Sequence, residues 1–112
     1  MIYYIDFDRT IRPVGYDVTG QYPPQKACVE KITKLKTGHL IIIYSCRSNP
    51  AVVSDWVRAT KDMEDYLKKY NIPYDCIQTN KPYFDKIIDD RNVGIPLDAT
   101  GAVDWEKLNI EE

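Results

Sequence analysis

Two carboxylates one residue apart, followed two positions later by a hydroxyl, stand directly after an apolar run: Tyr3-Tyr4-Ile5-Asp6-Phe7-Asp8-Arg9-Thr10. Along an extended chain side chains alternate, so Asp6 and Asp8 emerge on the same side of the backbone where the strand gives out. Two like charges so placed repel, and a cation or shared protons must offset them. The donors are oxygens, with no Cys or His beside them, so the cation would be a hard one, and magnesium is the natural choice.

Three more polar features end or flank apolar runs. Ser45 closes Leu40 to Tyr44, Lys81 lies in the turn Thr79-Asn80-Lys81-Pro82, and Asp89-Asp90 follow Ile87-Ile88. Each has an ordinary reading when taken singly. Asp6 and Asp8 can simply begin a loop, Ser45 can be a turn residue, and Asp89-Asp90-Arg91 can be a salt-bridged turn. Most lysines are solvated, and Lys86 competes with Lys81 because it is closer to the acidic pair. The joint occurrence of the four, in order and each at a strand end, is the informative signal.

That order, Asp-x-Asp-x-Thr, then Ser, then Lys, then Asp-Asp, resembles the haloacid dehalogenase superfamily, most of whose members are magnesium-dependent phosphohydrolases. The resemblance covers roughly residues 1 to 92, and the spacing from Lys81 to Asp89-Asp90 is similar to that of short bacterial and phage members. It implies that Asp6 is the nucleophile that attacks phosphorus. Asp8 would protonate the leaving oxygen and then activate water, with its main-chain carbonyl on the metal. Ser45 and Lys81 would hold the phosphoryl oxygens by hydrogen bond and by charge. Asp89 would complete the magnesium site of Asp6 and Asp8, with Asp90 binding through water or supporting from behind.

The sequence departs from the family pattern at Arg9, where a glycine is common. An Arg enters a left-handed or tight turn less cheaply than Gly, so Arg9 bears on the turn and on substrate access, and it is also a candidate phosphate ligand. Cys46 follows Ser45 where a small residue is usual; without an identifiable base it reads as a packing substitute. Arg47 is placed to be a secondary phosphate ligand.

The elements that must position these groups read as strand, helix, strand, helix, strand, strand. The first strand runs from about Met1 to Phe7. Residues 12 to 24, rich in Gly and Pro with Tyr16 and Tyr22 at their tips, form a flap or a plain connection. From Gln25 to Lys36 the apolar residues Ala27, Cys28, Ile32 and Leu35 recur at helical spacing, closed by Thr37-Gly38. Leu40 to Tyr44 is the β-branched run of a strand buried on both faces. A second amphipathic helix spans Val52 to Tyr70 and stops at Asn71-Ile72-Pro73. Asp75 to Gln78 is a short strand, Val93 to Leu97 a further short strand, and Trp105 to Leu108 a helical turn, with Trp105 packing on the core, the better reading, or marking an interface. His39, beside a helix end, reads as a surface or capping group. Helical crossovers between apolar strands imply one α/β domain over residues 1 to 112, a three-layer sandwich with a parallel, Rossmann-like sheet whose ligands gather at the carboxyl strand ends.

Composition bounds the function. The 15 basic and 17 acidic residues, with a pI of about 5.4, leave no electrostatic footprint for broad nucleic-acid or membrane binding. Cys28, Cys46 and Cys76 are odd in number and lack metal spacing, which indicates reduced thiols. With no leader pattern and no apolar run long enough for a bilayer, the expected compartment is the cytoplasm. Only 34 residues separate Thr10 from Ser45 and 35 separate Ser45 from Lys81, each interval consumed by a helix and its turns, so the chain looks like a capless member of that family. The expected partner is a phosphorylated substrate on an open site, which the flap or a neighbouring subunit of a homo-oligomer can close. Two other readings stay open. One is a non-catalytic domain that keeps the phosphate and metal site; the other is a nucleic-acid 3′-end phosphatase, suggested by Asp90-Arg91 and disfavoured by the acidic pI.

Overall fold

The computed structural model describes residues 1–13, 22–45, 54–78, 86–89 and 95–109. Its elements follow the expected order: β1 (Ile2–Asp6), α1 (Lys26–Lys36), β2 (Leu40–Tyr44), α2 (Trp56–Lys69), β3 (Cys76–Gln78) and β4 (Lys86–Ile88). The four strands form one sheet in the order β3-β2-β1-β4, and every neighbouring pair is parallel.

β1 and β2 are the middle of that sheet because their residues suit burial. Tyr4, Ile5, Ile41 and Ile43 are all 0% exposed, and each isoleucine side chain among them contributes about 1.5–3 kcal/mol by leaving water. The helices are amphipathic in the way their spacing predicts. Cys28, Ile32 and Leu35 form the buried stripe of α1, and Met63 and Leu67 that of α2. Lys34 and Lys36 in the last turn of α1, and Lys68 and Lys69 in that of α2, lie where the helix dipole favours positive charge.

Helix α2 ends as its sequence requires. Asn71 takes a left-handed φ of 55°, the Asn71 N–H donates to the Lys68 carbonyl, and the Ile72 N–H donates to the Leu67 carbonyl. This paired closure, with Ile72 buried behind it, satisfies carbonyls that the helix leaves open. Pro73 then prevents any continuation.

Two successive crossovers, β1 to β2 and β2 to β3, run in the same direction across the sheet. With right-handed connections both helices belong on one face. One core cluster accordingly joins Tyr3, Ile5, Phe7, Ile41 and Ile43 of the sheet to Cys28, Ile32, Leu35, Met63 and Leu67 of the helices. The described elements therefore make an α/β domain of sheet and helical layer, and the second helical layer of the expected sandwich is not among them.

Residues 95–109 contain no named strand. Leu97 and Val103 make a single antiparallel pairing, and the Asp104 N–H donates to the Pro96 carbonyl. Gly101 turns the chain at φ 85°, a conformation that only glycine adopts cheaply. Trp105 is 0% exposed, and the N–H groups of Lys107 and Leu108 both donate to the Asp104 carbonyl, giving the single turn expected there. Of the expected strand from Val93 to Leu97, Val93 and Gly94 lie outside the described residues, and Leu97 makes the single pairing with Val103. No helix of the described residues is long and apolar enough to cross a membrane.

Candidate active site

The reversal of strand order marks the place where parallel sheets of this kind take their ligands. From β1 the chain winds outward through β2 and β3, then returns to place β4 on the other side of β1. In an open parallel sheet the crevice lies outside the carboxyl ends of strands at such a reversal. Here that means the ends of β1 and β4, which carry Asp6 and Asp89. Ile5 is in register with Ile88, so Asp6 and Asp89 follow at the same level on strands about 4.8 Å apart.

Phe7 explains how the first two carboxylates are presented. It is 1% exposed, belongs to the core cluster, and meets the Tyr66 ring edge-on at 5.2 Å. Its N–H continues the ladder by donating to the Tyr44 carbonyl at 3.0 Å. With Phe7 anchored toward the helices, the flanking Asp6 and Asp8 are turned away from the core, and both are half-buried. The Phe7 carbonyl then receives the N–H groups of Thr10, Ile11 and Arg12, which curls the chain into a tight loop directly after the strand.

Two hydroxyls, one in that loop and one at the end of β2, hold these carboxylates. The Thr10 hydroxyl donates to Asp6 Oδ2 at 3.3 Å, and Thr10 is only 2% exposed. The Ser45 hydroxyl, also 2% exposed, donates to Asp8 Oδ2 at 3.1 Å. Ser45 therefore reaches across from the end of β2 to the second carboxylate. Arg9 takes a left-handed φ of 60°, the conformation for which glycine is usual, and its side chain is exposed.

Of the residues expected at the site, Asp6, Asp8, Arg9, Ser45 and Asp89 lie at the carboxyl ends of three adjacent strands. Lys81, Arg47 and Asp90 lie outside the described residues, as do Cys46 and most of the expected flap. Lys86, the competitor of Lys81, opens β4 in register with Tyr3. That is three residues back from the level of Asp6, roughly 10 Å along the strand, so its backbone sits at the wrong height. His39 lies at the opposite end of the sheet, edge-on to Tyr3 at 5.1 Å. Cys28 is buried, and burial pushes its thiol well above the usual range, as befits a core filler; Cys76 is partly buried.

The carboxylates present an all-oxygen donor set of the kind a hard divalent cation takes. Among the described residues no group of three or more His, Cys, Asp or Glu side chains is assembled as a metal cluster.

Residues that the motif pattern did not reveal also line this end. Arg12 is 7% exposed, and its guanidinium lies 5.7 Å from the centre of the Tyr22 ring. The Tyr66 hydroxyl donates to the Tyr22 carbonyl, and burial raises the Tyr66 phenol well above its usual range, keeping it a neutral donor. No spacing rule singles out Arg12; the signal available was a cation four residues beyond Asp8.

Comparison with family models, with curated proteins and with solved structures gave no match to this chain.

Proposed function

We propose that the protein is a magnesium-dependent phosphomonoester hydrolase of the haloacid dehalogenase type, working through an aspartyl-phosphate at Asp6 on an open, capless site. The fold proposed with it is that family's three-layer sandwich. The observation that carries the reading is the placement of Asp6, Asp8, Ser45 and Asp89 at the carboxyl ends of β1, β2 and β4, beside the reversal of strand order.

The chemistry follows from the geometry of this chain's own residues. Thr10 holds one oxygen of Asp6, which fixes the carboxylate's orientation for in-line attack on phosphorus. A carboxylate oxygen of Asp6 forms the new P–O bond as the ester P–O bond breaks. Asp8, held by Ser45, gives its proton to the departing alkoxide. It then takes a proton from the water that cleaves the aspartyl-phosphate, releasing inorganic phosphate and restoring Asp6. Asp6, Asp8 and Asp89, with Asp90, would hold magnesium, which when bound offsets the charge of the carboxylates and of the phosphoryl group. Lys81, Arg47 and Arg9 are the proposed cationic phosphate ligands. Arg9 reaches the left-handed conformation that a glycine would supply, so the departure from the family pattern leaves the turn intact.

The test is phosphate release from an aryl phosphate with magnesium and with a chelator, followed by a panel of sugar phosphates and oligonucleotide 3′-phosphates. Metal-dependent turnover supports the reading. Binding of phosphate without turnover of any member of the panel would assign the site to a non-catalytic domain.

A further inference from the structure

The C-terminal segment is tied to the loop that carries Asp6 and Asp8. The Trp105 indole N–H donates to the Thr10 carbonyl at 2.8 Å across 95 residues of chain, in a buried setting. One residue earlier in the loop, the Arg9 carbonyl accepts the Val103 N–H at 2.9 Å. Two consecutive carbonyls of the motif loop are thus held by one distant strand of chain, and one of them belongs to the residue in the left-handed conformation. Thr10 in turn donates to Asp6 Oδ2.

The segment is itself fastened from α1. The Gln25 side chain donates to the Val103 carbonyl at 2.8 Å and accepts the Trp105 N–H at 3.0 Å. The Lys31 ammonium collects the carbonyls of Trp105 and of Leu108, the latter at 2.9 Å. Asp98 stiffens the approach by accepting the N–H groups of Thr100 and Ala102 and the Thr100 hydroxyl. A buried indole N–H and a buried backbone N–H each take a partner, and here both partners are carbonyls of the loop that carries the two carboxylates.

We infer that Trp105 is a positioning residue for the proposed reaction: residues 96–108 act as a strap that holds the Arg9 and Thr10 peptides and, through the Thr10 hydroxyl, the attacking carboxylate of Asp6. This rests on the phosphatase reading of the site, and its test has one arm that does not. A shift of the attacking oxygen by a fraction of an ångström costs rate rather than binding, because orientation matters most in the transition state.

Trp105→Phe keeps an aromatic ring in the core and removes only the N–H donor and some volume. Expected are a kcat on aryl phosphate lower by roughly tenfold or more, a KM within about twofold of wild type, and faster amide exchange at Thr10, Ile11 and Arg12 with α2 unchanged. Gln25→Ala loosens the strap from outside the core and should give the same pattern more weakly, which covers a Trp105→Phe protein that fails to fold. Ile72→Val, a core change just past the C-terminal end of α2, should leave kcat and loop exchange as in wild type. An unchanged kcat in Trp105→Phe would overturn the inference, as would exchange that rises equally in α2 and the loop. If wild-type protein turns over no phosphomonoester, the reading of the site fails, and the exchange comparison alone decides whether the strap holds the loop.

Discussion

The Ser45 hydroxyl donates to Asp8 Oδ2 at 3.1 Å, joining the end of β2 to the carboxylate that follows β1. Ser45 was expected to face a phosphoryl oxygen, and the geometry gives it the further task of orienting the proposed acid and base. Ser45→Ala should therefore lower kcat by roughly 10- to 100-fold with little change in stability, since an alanine fits a site this buried. Steady-state kinetics beside a thermal melt check this; an unchanged kcat would separate Ser45 from the chemistry.

Arg9 carries a left-handed backbone at φ 60° with its side chain exposed. A side-chain-bearing residue gives up about 1–2 kcal/mol there, and glycine returns part of that through its greater freedom in the unfolded chain. Arg9→Gly should raise stability by about 0.5–1 kcal/mol, read from denaturant midpoints. If Arg9 also binds phosphate, the same variant should raise KM. A lower stability would mean that the Arg9 side chain makes contacts that outweigh the backbone cost.

Asp75 accepts the Ile41 N–H at 2.7 Å and pairs with Lys36 at 3.2 Å. The backbone hydrogen bond, more than the lysine, holds its carboxyl below the usual range, against an opposing effect of burial. A carboxylate whose folded pKa is depressed adds stability above its unfolded value of about 3.9, and that stability fades as pH falls through the folded value. Asp75→Asn should cost about 1 kcal/mol at neutral pH. The gap from wild type should close as pH drops below about 4. An equal gap at both ends of that range would show that the charge contributes nothing.

The sheet and helices were legible because their signals are local. Leu40 to Tyr44 is an unbroken apolar run and becomes β2 residue for residue, and Asn71-Ile72-Pro73 carries its own stop chemistry. Asp6, Ser45 and Asp89 were legible because each immediately follows or ends such a run. The strap was not, because its bonds join Val103 to Arg9 and Trp105 to Thr10, and contacts over such separations leave no period in the sequence. Of the two places open to Trp105 in the sequence, core or interface, the structure shows the core, while the direction of its N–H required the fold. The height of Lys86 likewise depends on register with Tyr3, which only strand pairing reveals.

Asp6 as the proposed nucleophile is put to the test by phosphate release from an aryl phosphate by wild type and Asp6→Asn with magnesium present. The amide keeps the shape of the carboxylate and an oxygen to accept from Thr10, so the fold and its circular dichroism should be unchanged. Asp6→Asn should lose roughly a thousandfold or more in kcat, with no covalent phosphate recoverable on the variant. Wild-type turnover by Asp6→Asn would contradict the nucleophilic role of Asp6.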